Sequence, residues 1–251
     1  MSGSGSEKQA GVTGENGPTV NPDGSLTFIY KSDFDENGIL YYIGTDGLTT
    51  DYTNPAEGSR VIVERSSDGA GVPSSFVGRE SKYTSTDYKD KGNKPFFQVD
   101  MGLLRRVYPV RYTVRHGSKM GWLRMENWTF EGSIDGKRWF TLRKHTDDES
   151  LPASVGYGTY SFEIEDILVR KCRFLKITQT KPNSGQKNES GKGQFEHSTL
   201  FLSGFEVYGR LIEGTGVDDE PSGLPKKKQE DAMVHERLAK RIKDLEEMCV
   251  S

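Results

Sequence analysis

Most of the side chains that could do chemistry lie in one stretch of the sequence, RHGSKMGWLRMENWTFEGSIDGKRWFTLRKH, from Arg115 to His145. The stretch contains two of the four histidines, several arginines and lysines, and all three tryptophans. Histidine serves in acid–base catalysis, arginine in anion recognition, and tryptophan at binding hot spots. The stretch is therefore a catalytic site, a binding surface or the signature of a fold.

The histidines and carboxylates do not follow the spacing of a metal site. A zinc site would need Cys and His at ligand spacing, and no cysteine pair accompanies the four scattered histidines, which are His116, His145, His197 and His235. The acidic runs at 33–37 and 147–150 lack the pattern of a calcium-binding loop and are typical of solvated turns. We expect no metal and no cofactor.

Nucleophile and phosphate motifs do not support catalysis either. The chain has no G-x-S-x-G elbow, and the GSKMG segment at 117–121 is not followed by a helix that could direct its N–H groups at a phosphate. Cys172 stands at the head of the apolar segment KCRFLKI, which predicts a buried and inert thiol. We expect a protein that is not an enzyme.

Composition narrows the class of partner. The 37 acidic residues nearly balance the 34 basic ones, and a net charge of −3 gives no field that would attract nucleic acid. No apolar run is long enough to cross a membrane, the first residues contain no secretory signal, and two cysteines do not make a disulfide framework. These observations predict a soluble, cytoplasmic protein whose partners are neither nucleic acid nor membrane.

The composition changes along the chain and divides it into four parts. Residues 1–24 are polar and Gly-rich, which predicts a disordered tail. Residues 25–211 contain short β-branched and aromatic segments separated by turn residues, the pattern of an all-β sandwich. Residues 212–228 resemble a linker, and 229–251 a helix.

The predicted helix has an apolar seam with alternating spacings of four, three and four residues, formed by Leu238, Ile242, Leu245 and Cys249. Such a seam is typical of a coiled coil, but it covers about two heptads, whereas a clear signal needs three or four. The helix therefore either self-associates or packs back onto the β domain.

Alternation along the β segments predicts which side chains face the core. In PFFQVDMG, Phe97, Val99 and Met101 share one face. In VRYTVRHG the predicted core face is Val110, Tyr112 and Val114, and the predicted solvent face is Arg111, Thr113 and Arg115. Both segments therefore predict strands with one buried face.

The clearest hairpin signal is NWTFEGSIDGKRWFTL. Asp135 and Gly136 suit a tight turn, and Trp139 begins the predicted return strand. Trp128 and Trp139 are expected in the core. Trp122 instead lies in a loop-like segment beside Lys119, and is either a recognition hot spot or an anchor of the loop to the core.

Several motifs together resemble the discoidin, or coagulation factor 5/8 type C, domains. They are ILYYIGTDG, YTNPAEGSRVIVERSS, FFQVDMG, YPVRYTVRHG, the NW-FEGS-DG-W hairpin and the closing FLSGFEVYGRL, and they extend over residues 39–211. The sequence is most similar to the intracellular branch of that family, found beside BTB, kelch and ubiquitin-ligase modules. The motif-rich stretch is therefore mainly a fold signature.

The resemblance implies a galactose-binding-like jelly roll of two antiparallel sheets, with ligand or partner held by loops at one end. By that resemblance the candidate binding residues are Arg79, Tyr83, Arg115, His116, Lys119, Trp122, Lys187 and His197. Unlike many extracellular relatives, this chain has no cysteine pair that joins the ends of the domain, and it matches no defined sugar or calcium motif.

These features predict a non-catalytic protein- or peptide-binding module, an adaptor or subunit of an intracellular assembly. The partners implied are ubiquitin-ligase or cytoskeletal and ciliary assemblies. Two alternatives remain open: a glycan-binding protein in which Trp122 or Tyr83 stacks on a sugar ring, and a purely structural subunit.

Overall fold

The structure, a computed structural model, describes residues 17–87, 94–117, 124–182 and 199–214. The predicted linker beyond Gly214 and the predicted helix at 229–251 lie outside these residues. So do the predicted oligomerisation residues Leu238, Ile242, Leu245 and Cys249. Within the described ranges no helix is long and apolar enough to cross a membrane.

Eleven strands and one short α-helix form the described fold. The strands are β1 Thr19–Val20, β2 Leu26–Phe28, β3 Ile62–Arg65, β4 Thr84–Ser85, β5 Phe96–Asp100, β6 Arg105–His116, β7 Trp128–Ser133, β8 Phe140–His145, β9 Thr159–Glu163, β10 Phe174–Gln179 and β11 Phe201–Glu213. The helix α1 is Ile39–Gly44, and 3-10 helices occupy Pro73–Val77 and Asp166–Leu168.

The strands form two antiparallel sheets, which confirms the predicted β-sandwich. One sheet has the order β1-β2-β11-β6-β9, with β4 also paired to β11. The other has the order β3-β5-β10-β7-β8. Their apolar faces form one continuous core, as expected for sheets that each bury one face.

The core contains the face predicted on β5. Phe97, Val99 and Met101 are fully buried. Aromatic rings join the two layers: Tyr112 of β6 lies 4.2 Å, centroid to centroid, from Phe130 of β7, and Phe76 stacks on Phe205 of β11 at 5.1 Å. Burial of several such rings supplies much of the apolar area that stabilises the sandwich.

The prediction for β6 was wrong at three positions. Thr113 and Arg115 are buried, although both were assigned to a solvent face, and Val110 is 43% exposed, although it was assigned to the core. Val110 is an extra residue between the pairs Tyr208↔Arg111 and Gly209↔Pro109, and this β-bulge shifts the alternation. The fully exposed strand face predicted for β6 does not exist.

The β7–β8 hairpin exists, but its connection is longer than predicted. Gly132 pairs with Phe140, so residues 134–139 form a loop rather than a two-residue turn. Gly136 adopts φ +70 in that loop. Trp128 is fully buried as expected, whereas Trp139 precedes the return strand and is only partly buried, with the Lys176 ammonium 3.7 Å from its ring centroid.

The folded region extends beyond the predicted limits of 25 and 211. Strand β1 lies inside the range predicted as a tail and pairs with β2 through Thr19↔Thr27 and Val20↔Leu26. Asn21 closes this hairpin by donating to the hydroxyls of Ser25 and Thr27, both at 2.9 Å. Strand β11 continues to Glu213. The polar composition of residues 1–24 gave no sign of strand β1, because β1 is held by backbone hydrogen bonds and by the side-chain amide of Asn21.

Candidate functional site

The structure describes four of the eight predicted binding residues: Arg79, Tyr83, Arg115 and His116. The other four, Lys119, Trp122, Lys187 and His197, lie outside the described residues. The described part of the candidate site therefore consists of the loop around Arg79 and the end of β6.

Arg115 is a buried anchor of this loop. Its Nε donates to Ser203 Oγ at 2.9 Å, and its Nη2 donates to the carbonyls of Ser203 at 2.9 Å and Glu80 at 2.7 Å. The guanidinium also lies 4.7 Å from the ring centroid of Phe34. Burial, with a smaller contribution from nearby Arg79, lowers its pKa. Arg115 positions the 78–80 backbone, and a ligand would not reach most of its side chain.

His116 is also buried. Its backbone N–H donates to the carbonyl of Gly158 at 2.9 Å, and its own carbonyl accepts from Ser203 Oγ at 3.4 Å. Tyr83, by contrast, is 43% exposed. It follows Lys82 in the loop that leads into β4, and so lies where a partner can contact it.

Arg79 connects the loop to the outer face of the six-stranded sheet. Its guanidinium donates to the carbonyls of Phe34 and Asp35 and lies 4.8 Å from the ring centroid of Tyr41. A second ring, Tyr52, is 5.8 Å away and stacks on Tyr41. These contacts hold Arg79 in a fixed orientation while leaving its side chain about one-quarter exposed.

Sequence reasoning missed the partner of Arg79, the buried carboxylate of Glu206. One carboxylate oxygen accepts from the backbone N–H of Leu40 at 2.7 Å and from that of Val207 at 2.9 Å; the other accepts from the N–H of Tyr41 at 3.0 Å. Arg79 Nη1 lies 4.0 Å away. Burial raises the pKa of Glu206 to about 7, although these donors and Arg79 oppose that shift. The sequence signal that could have identified Glu206 is a carboxylate within the otherwise apolar closing strand FLSGFEVYG.

Arg79 opens onto a cleft of about 280 Å³, which we call the Arg79 cleft. It is lined chiefly by Tyr52, Asn54, Glu57, Arg79, Glu80 and Lys82. Lys82 is 73% exposed and pairs with Glu80 at 2.6 Å, which raises the pKa of the lysine. Asn54 is held by its bond to the Ser74 carbonyl at 2.9 Å. A volume of this size accommodates one or two polar side chains rather than a folded domain.

A second polar cluster lies inside the sandwich. The Nδ1–H of His145 donates to Asp148 at 2.6 Å, and the Nε2 of His145 is 2.7 Å from the Tyr112 hydroxyl, which accepts from Trp128 Nε1 at 3.1 Å. Burial lowers the pKa of His145 to about 4 and raises that of Tyr112. With this lowered pKa the histidine is neutral at pH 7.

The hydrogen-bonded row of His145, Tyr112 and Trp128 resembles an acid–base relay, but its burial indicates a structural role. Tyr112 and Trp128 are fully buried and His145 is 3% exposed. Across the described residues, no group of three or more His, Cys, Asp or Glu side chains has the arrangement of a metal site. His145 thus links the end of β8 to the loop that follows it, because Asp148 lies in that loop.

The chain is similar in sequence to two ubiquitin ligases and to a BTB/POZ protein. The chain is 35% identical over 202 residues to the E3 ubiquitin-protein ligase Ufd4 of Drosophila melanogaster, covering 78% of this chain and 7% of the ligase. It is 32% identical over 194 residues to the E3 ubiquitin-protein ligase hecd-1 of Caenorhabditis elegans, covering 75% and 7%. A BTB/POZ domain-containing protein of Arabidopsis thaliana is 25% identical over 160 residues, covering 62% of this chain and 19% of that protein.

The predicted resemblance is confirmed. The described residues form a discoidin-like β-sandwich of two antiparallel sheets, and the relatives include ubiquitin ligases and a BTB protein, as the resemblance to the intracellular branch predicts. No family model matches the chain. This discoidin-like chain spans about 7% of the length of the two ligases.

Solved structures with related topology include carbohydrate-binding modules. The module CBM32-3 of a family 31 glycoside hydrolase from Clostridium perfringens has a TM-score of 0.46 at 11% identity and covers 60% of this chain and 92% of the module. The family 32 module of C. perfringens NanJ, in complex with galactose, has a TM-score of 0.41 at 12% identity, covering 60% and 94%. At these values the sugar seen in NanJ does not transfer to this discoidin-like chain.

Proposed function

We propose that this chain is a non-catalytic protein-binding module of ubiquitin-ligase machinery. The observation that carries the proposal is the 35% identity to a ligase over 202 residues that account for 7% of the ligase. A stretch that small, in a protein named for ubiquitin transfer, suits a module that recruits or positions another protein. We also propose that the module acts in the cytoplasm, and the similarity to ubiquitin ligases and a BTB protein supports this.

The Arg79 cleft is the proposed recognition site. It combines fixed groups with exposed ones: Arg79 is oriented by two carbonyls and two aromatic rings, whereas Lys82 of the cleft and Tyr83, the next residue along the chain, are accessible. Preorganised groups bind with less loss of conformational entropy, and exposed Tyr and Arg side chains are frequent anchors of protein interfaces. Lys119, Trp122, Lys187 and His197, which lie outside the described residues, remain predicted binding residues.

Quantitative affinity purification from cytoplasm tests this function. The full chain is compared with Lys82→Glu, which reverses an exposed charge at the cleft, and with Lys137→Glu, which makes the same change in the exposed loop between β7 and β8. We expect ubiquitin-ligase components or their targets to be recovered with the wild-type chain and with Lys137→Glu, and to fall at least tenfold with Lys82→Glu.

Three results would overturn the proposal. Equal recovery by all three proteins would remove the Arg79 cleft from recognition, and a constant set of cytoskeletal or ciliary subunits would favour the purely structural role. Saturable binding on a glycan array, abolished by Lys82→Glu, would replace the protein ligand with a sugar.

A further inference from the structure

A groove of about 810 Å³ lies on the outer face of the six-stranded sheet, outside the Arg79 cleft. We call it the Tyr108 groove; it is lined chiefly by Ile29, Tyr30, Tyr108, Val110, Tyr208 and Arg210. These residues come from β6 and β11 and from the end of β2. The proposed function leaves this surface without a role.

The groove exposes apolar side chains on a sheet face. Ile29 is 64% exposed and Val110 43% exposed. Single exposed apolar residues are common on protein surfaces, but here two of them line the same depression together with three tyrosines. The bulge at Val110 is what directs this side chain outward, and it requires Gly209, because a Cβ at that glycine would lie 2.2 Å from the Tyr108 carbonyl oxygen.

Charged groups of both signs frame the groove. Arg111 pairs with Glu163 and lies 4.5 Å from the Tyr30 ring centroid. Arg210 lies 4.7 Å from the Tyr108 ring centroid and 3.7 Å from Asp23. A partner with an apolar stripe flanked by mixed charges would complement this surface.

We propose that the Tyr108 groove binds residues 229–251 of the same chain as an amphipathic helix. This goes beyond the proposed recognition function. The sequence of that segment contains such a stripe, Leu238, Ile242, Leu245 and Cys249, flanked by charge pairs such as Glu236 with Lys240 and Lys243 with Glu247. A helix with one apolar stripe is stabilised mainly by burying that stripe against another element.

The length of the apolar stripe matches the width of the Tyr108 groove. The stripe from Leu238 to Cys249 extends about 17 Å along a helix at 1.5 Å per residue. The groove crosses four neighbouring strands, β2, β11, β6 and β9, which is about 14 Å at the usual strand spacing. One helix can therefore place its whole stripe across the exposed apolar side chains.

The connection favours this chain over a second copy as the occupant. Strand β11 ends at Glu213, three residues after Arg210 of the groove. Residues 215–228 reach up to roughly 46 Å when extended, which exceeds the distance needed. A tether of this length gives an effective concentration on the order of millimolar, far above that of separate chains in dilute solution.

Paramagnetic broadening in the full-length protein tests the proposal. A nitroxide is attached at position 251 in the Cys249→Ala, Ser251→Cys chain, which keeps position 249 apolar; Cys172 is fully buried and does not react. We expect the amide signals of Ile29, Val110 and Arg210 to lose most of their intensity. Those of Glu64, Gln98 and Lys176, on the other sheet, should keep theirs.

Variants test whether the broadening depends on the stripe and the groove, and a mixed sample tests whether the label belongs to the same chain. The broadening should disappear with Ile242→Glu, which changes no residue of the sandwich, and with Val110→Glu, but should remain with Ile62→Glu, an exposed apolar position on β3. Unbroadened groove signals would overturn the proposal. Broadening of an isotope-labelled chain mixed with a separate spin-labelled chain would overturn it in favour of a second copy.

Discussion

The indole of Trp128 lies flat against the imidazole of His145, with ring centroids 3.8 Å apart and planes 9° apart. The stack joins the first residue of β7 to the last of β8, which pair in the sheet. Both rings donate or accept hydrogen bonds at the Tyr112 hydroxyl of the opposite sheet. Two aromatic residues of the chemically suggestive stretch therefore connect the two layers of the sandwich.

Stability should depend on pH through His145. Its pKa is about 4 in the folded protein and near 6.5 when unfolded, so the folded state binds fewer protons between these values. The stabilisation is complete above pH 6.5 and is lost as pH falls toward 4, by about 3 kcal/mol in total. Urea unfolding of the wild type and of His145→Gln at pH 7 and pH 5 isolates most of this component as the difference between their pH slopes, because Glu206, whose pKa is raised, contributes the opposite slope to both proteins. An unchanged pH slope in that variant would contradict the assignment.

Removing the Tyr112 hydroxyl should destabilise the protein. Tyr112→Phe leaves Trp128 Nε1–H and His145 Nε2 without their buried partner, which costs about 1–3 kcal/mol. Tyr160→Phe is the matched control, because Tyr160 is 44% exposed and water can replace its hydroxyl contacts. Chemical denaturation of the two variants would show equal stabilities if the buried network contributed nothing.

A methyl group at Gly38 should also destabilise the fold. A Cβ there would lie 2.1 Å from Cδ of Glu206, a carboxylate held by three backbone N–H groups. Gly38→Ala should cost about 1–3 kcal/mol through displacement of this side chain. At Gly58 the nearest atom is the flexible end of Arg60, 3.0 Å away, so Gly58→Ala should change the melting temperature little. Similar melting temperatures for the two variants would argue against a rigid Glu206.

The Cys172 thiol should be unreactive in the native protein. It is fully buried, and burial raises its pKa to about 12, so little thiolate exists at neutral pH. In a Cys249→Ser chain, we expect thiol-reagent labelling at pH 8 to proceed only as fast as the protein unfolds. Rapid labelling in the absence of denaturant would show that the strand around Cys172 opens readily.

Sequence patterns predicted the sandwich better than they predicted the site. The alternation of Phe97, Val99 and Met101 placed β5 correctly, because both its neighbours in the sheet are regular. On β6 the same rule failed for Val110, because a bulge depends on the partner strand and is not visible in a local pattern.

The failure at Arg115 has a different cause. Alternation predicts which side chains share a face, but not what covers that face, and here the 78–80 loop and β11 surround the guanidinium. Glu206 was missed for the same reason, since its three backbone donors include two from α1, more than 160 residues away in sequence. Segments distant in sequence pack over the face of a strand. Whether they do so decides if a charged residue on that face can contact a ligand or is a buried anchor.

Site-specific photo-crosslinking at Tyr83, beside the Arg79 cleft, tests whether this cleft recognises a protein partner. The full chain carrying a benzophenone amino acid at position 83 is irradiated in cells and compared with the same replacement at Lys137, an exposed position in the β7–β8 loop. We expect covalent products with ubiquitin-ligase components or their targets at position 83 but not at 137, and we expect Lys82→Glu to abolish them. Identical products at both positions would contradict a recognition site at the Arg79 cleft.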